Sequence, residues 1–203
     1  MKKLVTIAAI SALFLVGCTP AEVVQIDYEP QGGLAELQID TSKTTIQYPK
    51  SLHLEVMRKP NDEPRVYVKF AEEYLSNGEP KNFIRLTVQA AEYEEYMAEN
   101  WDAPYFPLTN VCEEGESNLG EHFGCETSDG ITSYYMIDSQ GKTDFIKKFF
   151  MKTGNDDWPL AELRVELTEE DQTEESFKAM EFSDEQMKRI QIAEDMMRSL
   201  EVK

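Results

Sequence analysis

The chain has 203 residues, and its 39 aspartates and glutamates outnumber its 20 lysines and arginines, which gives a formal net charge of −19. This charge repels phosphate backbones and anionic lipid headgroups, so nucleic-acid binding and a basic membrane-surface patch are excluded as expected functions. The length is sufficient for one domain with a substantial core.

The first eighteen residues have the pattern of an export signal. Lys2 and Lys3 precede an apolar run from Leu4 to Val16. This run is shorter than the roughly 20 residues that a membrane-spanning helix needs, so we interpret it as a signal-peptide core. It ends in Leu15-Val16-Gly17-Cys18, which resembles the lipobox of bacterial lipoproteins.

The lipobox resemblance implies cleavage before Cys18 and acylation of Cys18, with palmitate among the acyl chains. Several acyl chains are enough for stable membrane anchoring. Thr19 at the second mature position implies the outer membrane, facing the periplasm, if the host is Gram-negative. We therefore expect residues 1–17 to be a signal peptide, 18–43 a lipidated tether, and 44–203 a single globular domain.

The globular part shows strand patterns first and a strong helix pattern last. Apolar and polar residues alternate in three successive runs joined by short turns, which predicts an antiparallel meander. The runs are Leu52–Met57, Arg65–Phe70 and Phe83–Val88. A short helix is predicted over 90–100, a long loop over 111–127, and further strands over 131–137, 145–152 and 160–167.

The C-terminal helix has the clearest local signals. Ser183 and Gln186 have the spacing of a capping box, and Phe182 and Met187 that of a hydrophobic staple. An apolar stripe follows at helical spacing; it comprises Met187, Ile190, Ala193, Met196, Met197 and Leu200. We therefore predict an α+β fold, with a mostly antiparallel sheet of six to seven strands packed by this helix and one short internal helix.

The order of these elements, with the strand end at Tyr48-Pro49, is similar to that of the small PsbP-like and DcrB-like α/β domains. The resemblance covers residues 44–202, and several such domains are bacterial lipoproteins. It implies a binding or accessory module, and it implies no catalytic residues.

Cys112 and Cys125 form an even pair in an exported chain, which favours a disulfide bond. The loop that they would close stabilises a fold by about 3 kcal/mol. A zinc site made of both cysteines, His122 and either Glu121 or Glu126 is the alternative. We expect no metal and no cofactor, because structural zinc sites have a closer cysteine pair and an oxidising compartment favours the disulfide. His53 alternates with leucines and is expected at the surface.

Aromatic residues are concentrated between residues 93 and 106, next to two prolines. This composition is typical of a partner-binding surface. The favoured interpretation, however, is that the aromatic rings cap the core beneath the disulfide loop. The candidate binding residues are Tyr93, Tyr96, Trp101, Tyr105 and Phe106, with the nearby acids Glu113, Glu114 and Glu116.

No nucleophile motif of the G-x-S-x-G type is present, and we predict no catalytic residue. The preferred interpretation is an envelope lipoprotein that acts through contacts with an unidentified protein partner, and the acidity of the chain favours a basic one. One alternative is an immunity lipoprotein that neutralises a toxin delivered to the periplasm. Another is a small carboxylate-dependent hydrolase with its acids near Trp101.

Overall fold

The computed structural model describes residues 29–30, 32–57, 64–74, 80–93, 95–96, 115–117, 120–138 and 143–203. These contain eleven strands and two helices. The strands are β1 (Leu34–Ile39), β2 (Thr44–Pro49), β3 (His53–Met57), β4 (Arg65–Tyr74), β5 (Pro80–Gln89), β6 (Gly115–Ser117), β7 (Gly120–Ser128), β8 (Ile131–Asp138), β9 (Asp144–Lys152), β10 (Leu160–Glu166) and β11 (Glu201–Val202); the helices are α1 (Glu174–Lys178) and α2 (Asp184–Arg198).

The strands form two antiparallel sheets. The larger sheet has the order β3-β4-β5-β10-β9-β8-β7-β6, and the smaller sheet has the order β1-β2-β11. The prediction of an α+β fold with a mostly antiparallel sheet and a C-terminal helix is confirmed. The larger sheet has one strand more than the upper limit that we predicted.

One face of the larger sheet, the inner face, packs against α2. The alternating apolar residues of β4, β5 and β10 are buried there together with the apolar stripe of α2. The fully buried members include Phe70, Leu86, Leu163, Ala193 and Met197. Burial of one strand face and one helix stripe explains why these elements could be predicted from sequence. The opposite face of the larger sheet is the outer face.

The capping box of α2 is confirmed. The Ser183 hydroxyl accepts a hydrogen bond from the Gln186 amide (3.2 Å), and the Gln186 side chain accepts one from the Ser183 amide (2.9 Å). These bonds satisfy two of the amides that a helix N-terminus leaves without partners. For the predicted helix over 90–100, the Tyr96 amide donates to the Glu92 carbonyl, as in a helical turn; residues 97–100 lie outside the described residues.

The predicted loop over 111–127 is wrong at Gly115–Ser117, which form β6, and in its C-terminal part, where β7 runs from Gly120 to Ser128. Strand β7 has two glycines and no apolar alternation, so its sequence gives no strand signal. It is held by backbone pairing with β8, and the register shifts between Phe123 and Glu126. Gly124, at a φ of +62°, provides the left-handed backbone conformation inside this bulge.

Two further differences concern the edges of the fold. Strand β1 lies within the segment predicted as a tether, and it pairs with β2 along its whole length. Leu54, which the alternation places on a buried face, is 37% exposed. Strand β3 is the edge of the larger sheet, where a side chain has a neighbouring strand on only one side.

Candidate functional site

The outer face of the larger sheet carries four cations in one line across four neighbouring strands. Lys69 of β4 is directly opposite Arg85 of β5, which is opposite Arg164 of β10, which is opposite Lys148 of β9. We refer to these four residues as the cationic row. Like charges directly opposite one another destabilise a sheet, so this arrangement needs counter-charges.

Arg164 has three carboxylates around it. Its guanidinium lies 4.0 Å from Asp138, 3.7 Å from Asp144 and 3.8 Å from Glu166. Because these acids lie at neighbouring strand ends, they neutralise this part of the cationic row.

Lys148 is paired with a single acid, since its Nζ lies 3.7 Å from Glu162 Oε1. Burial lowers the pKa of Lys148. Burial alone would favour neutral Glu162, but Lys148, Arg85 and Arg164 together outweigh it and hold the pKa of Glu162 below its ordinary value. The carboxylate is therefore ionised and acts as the counter-charge in the middle of the outer face.

Arg85 has a different environment from Arg164 and Lys148. Its buried Nε has no hydrogen-bond acceptor, which is also true of the Nε of Arg164. Burial lowers the pKa of this guanidinium, and the negative charge of Glu162 opposes that effect. Among the described residues no carboxylate forms an ion pair with Arg85.

Aromatic rings flank the β4 side of the cationic row. Lys69 Nζ lies 5.1 Å from the centre of the Phe83 ring. The Arg65 guanidinium lies over Tyr67 (5.5 Å) and over Tyr93 (5.2 Å). Such cation–π contacts stabilise a cation without neutralising it.

The predicted aromatic binding cluster is described only at its start. Tyr93 is 4% exposed, and its ring stacks on Tyr96 at 6.4 Å. In this structure Tyr93 therefore offers little of its side chain to a partner. For Glu116 the structure describes the backbone in β6, and the other predicted residues lie outside the described residues: Cys18, Trp101, Tyr105, Phe106, Cys112, Glu113 and Glu114.

Cys125 is disulfide-bonded. It packs against the apolar cluster of the outer face, which contains Tyr134, Met136, Ile146 and Phe150. Pairing with Cys112 stays a prediction, because Cys112 lies outside the described residues.

The two histidines differ in environment. His53 is exposed, as predicted. His122 is partly buried with its ring 5.1 Å from that of Tyr134, and burial, assisted by the positive charge of Lys148, lowers its pKa. The part of the chain that the structure describes contains no group of three metal-ligating side chains.

A second charged surface lies around α1 and the start of α2. Seven exposed acids occur here within sixteen residues, and we refer to them as the acidic surface: Glu170, Asp171, Glu174, Glu175, Glu181, Asp184 and Glu185. Lys178, in the same segment, forms an ion pair of 2.6 Å with Glu121 of β7. Because Lys178 is paired with Glu121, it does not neutralise the seven acids of the acidic surface, and the electrostatic field of that surface stays strongly negative.

Buried polar side chains fix the backbone beneath the acidic surface. Arg189 is 1% exposed; it donates to the Glu166 carbonyl (2.7 Å) and pairs with Glu169 (2.9 Å). Gln186, also buried, donates to the Leu167 carbonyl and to Gln172 Oε1. Together these bonds tie α2 to the connection between β10 and α1.

Local sequence patterns indicate these two surfaces only in part. Lys69, Arg85 and Arg164 stand at the polar positions of alternating strands, but their alignment depends on strand order and register. Arg189 looks like a solvent-facing residue of an amphipathic helix. Its burial arises from the path of residues 166–172, and nothing local in the sequence encodes that path.

Both surfaces are suited to electrostatic binding of a ligand or partner of opposite charge.

None of the described helices combines the length and the apolar composition that a membrane span requires.

No model of a known family matches this sequence, and no curated protein matches it. Among solved structures, one that resembles the fold is the Ran-binding protein Mog1p of Saccharomyces cerevisiae. The two have a TM-score of 0.46 and 15% sequence identity, with 84% of this chain and 95% of that chain covered.

Proposed function

We propose that this protein is a lipid-anchored accessory protein of the bacterial envelope that binds a basic protein partner through its acidic surface. The observation that carries the proposal is the attachment of this surface to the core by the buried side chains of Arg189 and Gln186. Exposed acids are common on proteins, whereas acids on a backbone fixed in this way are held in a defined arrangement.

The fixed backbone supports binding for an energetic reason. Association costs conformational entropy when loops must become ordered, and a surface that is already ordered avoids part of that cost. Its negative field would also attract a basic partner from a distance and raise the association rate at low salt.

The N-terminal sequence supports the location. A lipobox at Leu15–Cys18 implies an acylated Cys18, which would hold the domain next to the membrane. A partner in the same membrane would then meet the acidic surface at a raised effective concentration.

Photo-crosslinking in intact cells tests the proposal. A benzoylphenylalanine at position 174 of the acidic surface is compared with one at position 55, on the edge strand β3 at the opposite end of the larger sheet. We expect a discrete crosslinked product from position 174 and none of the same mass from position 55. Equal products from both positions, or none from 174, would contradict the proposal.

A charge-neutral variant provides the second arm. Glu170→Gln, Asp171→Asn and Glu174→Gln are combined, and the matched control combines Glu36→Gln, Asp40→Asn and Glu55→Gln, which also removes three exposed acids. We expect the crosslink introduced at position 175 to disappear in the first variant and to persist in the control. Loss in both would show that net charge alone determines the contact.

A further inference from the structure

We propose that the outer face of the larger sheet binds a small organic carboxylate at Arg85 and Lys69. This site is separate from the acidic surface and has the opposite charge. The proposal therefore does not depend on the proposed function.

The distribution of counter-charges along the cationic row points to this site. Arg164 has three carboxylates within 4.0 Å, and Lys148 has Glu162 at 3.7 Å. For Arg85 and Lys69, the other half of the row, the described residues provide no ion pair. Half of the row is therefore held in close ion pairs by the protein. The other half has only more distant counter-charges, namely Glu162 for Arg85 and Glu55, opposite Lys69 in the β3–β4 pair.

The state of Arg85 strengthens the argument. Its Nε–H group is buried and has no acceptor, which is also true of that of Arg164. Arg164, however, has carboxylates at both of its terminal nitrogens, whereas the described residues give Arg85 no ion pair. A buried donor without an acceptor destabilises a fold, and an apolar or neutral side chain would avoid this loss. A carboxylate oxygen would supply the missing acceptor.

Lys69 is placed to hold the same anion. It is directly opposite Arg85 in the β4–β5 pair, where Cβ atoms lie about 4.5–5.5 Å apart. Both side chains leave the same face of the sheet, so an ammonium and a guanidinium can converge on one carboxylate.

The chemistry favours a carboxylate on a planar or apolar body. A guanidinium forms two parallel hydrogen bonds with a carboxylate, which fixes the anion in orientation as well as position. Phe83 contacts Lys69, and Tyr67 stands next to Lys69 on the same face of β4. Their rings offer an apolar surface beside the charged group.

The test is a titration of the purified mature protein with benzoate, followed by NMR, with benzamide and inorganic phosphate as separate arms. We expect saturable shifts with benzoate that are absent with neutral benzamide and weaker with phosphate. No saturation with benzoate, equal shifts with benzamide, or tighter binding of phosphate would overturn the proposal.

Variants locate the site. Loss of a charge-assisted contact should weaken benzoate binding about tenfold or more in Arg85→Gln, and about three- to tenfold in Lys69→Gln. The control is Lys81→Gln, because Lys81 is exposed and already paired with Glu73 at 3.0 Å; its affinity should be unchanged. Lys69→Gln changes a less constrained residue, so the result remains informative if Arg85→Gln does not fold. Unchanged affinity in Lys69→Gln would overturn the proposal.

Discussion

A Cβ atom added to Gly124 would lie 2.8 Å from Cε of Met180. Both residues have a left-handed backbone conformation, with φ values of +62° and +57°. Gly124 forms the bulge of β7, and Met180 follows the end of α1, where the Glu181 amide donates to the Ser176 carbonyl. The end of α1 can therefore pack against the bulge of β7 because Gly124 has no side chain.

Gly124→Ala should destabilise the protein by about 1–3 kcal/mol, because alanine is strained at this φ. Its methyl group would also lie 3.1 Å from the ring of buried Tyr135 and would displace the end of the Met180 side chain. Gly130→Ala is the matched control: its φ is +79°, and an added Cβ has nothing within 4 Å. Urea unfolding should show a larger loss for Gly124→Ala. Adding Met180→Ala to each variant should reduce the difference between the two glycine variants in their free energy of unfolding. Equal losses in Gly124→Ala and Gly130→Ala would contradict the close packing of Met180 against Gly124.

Arg189→Met should lower the free energy of unfolding by about 2–4 kcal/mol, because it leaves the Glu166 carbonyl without its donor inside the protein. Glu169→Gln should lower it by less, because glutamine keeps a side-chain oxygen that can accept from Arg189 even though the buried guanidinium loses its counter-charge. Denaturant titrations of both variants measure the difference. A loss in Arg189→Met no larger than that in Glu169→Gln would contradict the role of Arg189 as the buried anchor of residues 166–172.

His122 should make stability fall as the pH is lowered. Burial, and next the charge of Lys148, lower its pKa below the ordinary value of 6.5. Below pH 6.5 the unfolded chain takes up a proton that the folded protein does not, so this contribution is lost as the pH falls towards the folded-state pKa. Unfolding titrations at about pH 7.5 and 5 should show a smaller drop for His122→Gln than for the parent. His53→Gln, at an exposed position, serves as control and should keep the parental drop.

With Cys112 as the predicted partner, reduction of the disulfide of Cys125 should destabilise the fold by about 3 kcal/mol, the value expected for a loop of a dozen or so residues. Thermal unfolding with and without dithiothreitol measures this effect. The Cys125→Ser variant should unfold at the lower temperature in both conditions. If reduction leaves the unfolding temperature of the parent protein unchanged, the inferred stabilisation by the disulfide is contradicted.

The strands that sequence predicted well are those buried on one face and flanked by turns. Val68 and Leu86 alternate with Lys69 and Arg85, so the period of two is visible without any structure. The capping box at Ser183 and Gln186 is equally local. These features could be predicted because each depends on residues a few positions apart.

The features that sequence did not predict depend on long-range pairing. Strand β7 takes its conformation from its pairing with β8. The reason for a glycine at position 124 is evident only from the packing of Met180 against it. The cationic row requires the order β4-β5-β10-β9 and its register, neither of which the strand patterns specify. For the same reason the sequence interpretation placed the candidate binding residues in the aromatic segment 93–106 and the acids after it, because amino-acid composition was the signal available there.

The most direct test of the account is the mass of the N-terminal peptide of the protein extracted from envelope fractions of its host. We expect a chain that begins at Cys18 and carries a diacylglyceryl group and an amide-linked acyl chain, and we expect Cys18→Ser to abolish both processing and envelope retention. An unmodified chain that begins at Met1, or equal retention of the Cys18→Ser variant, would contradict the account.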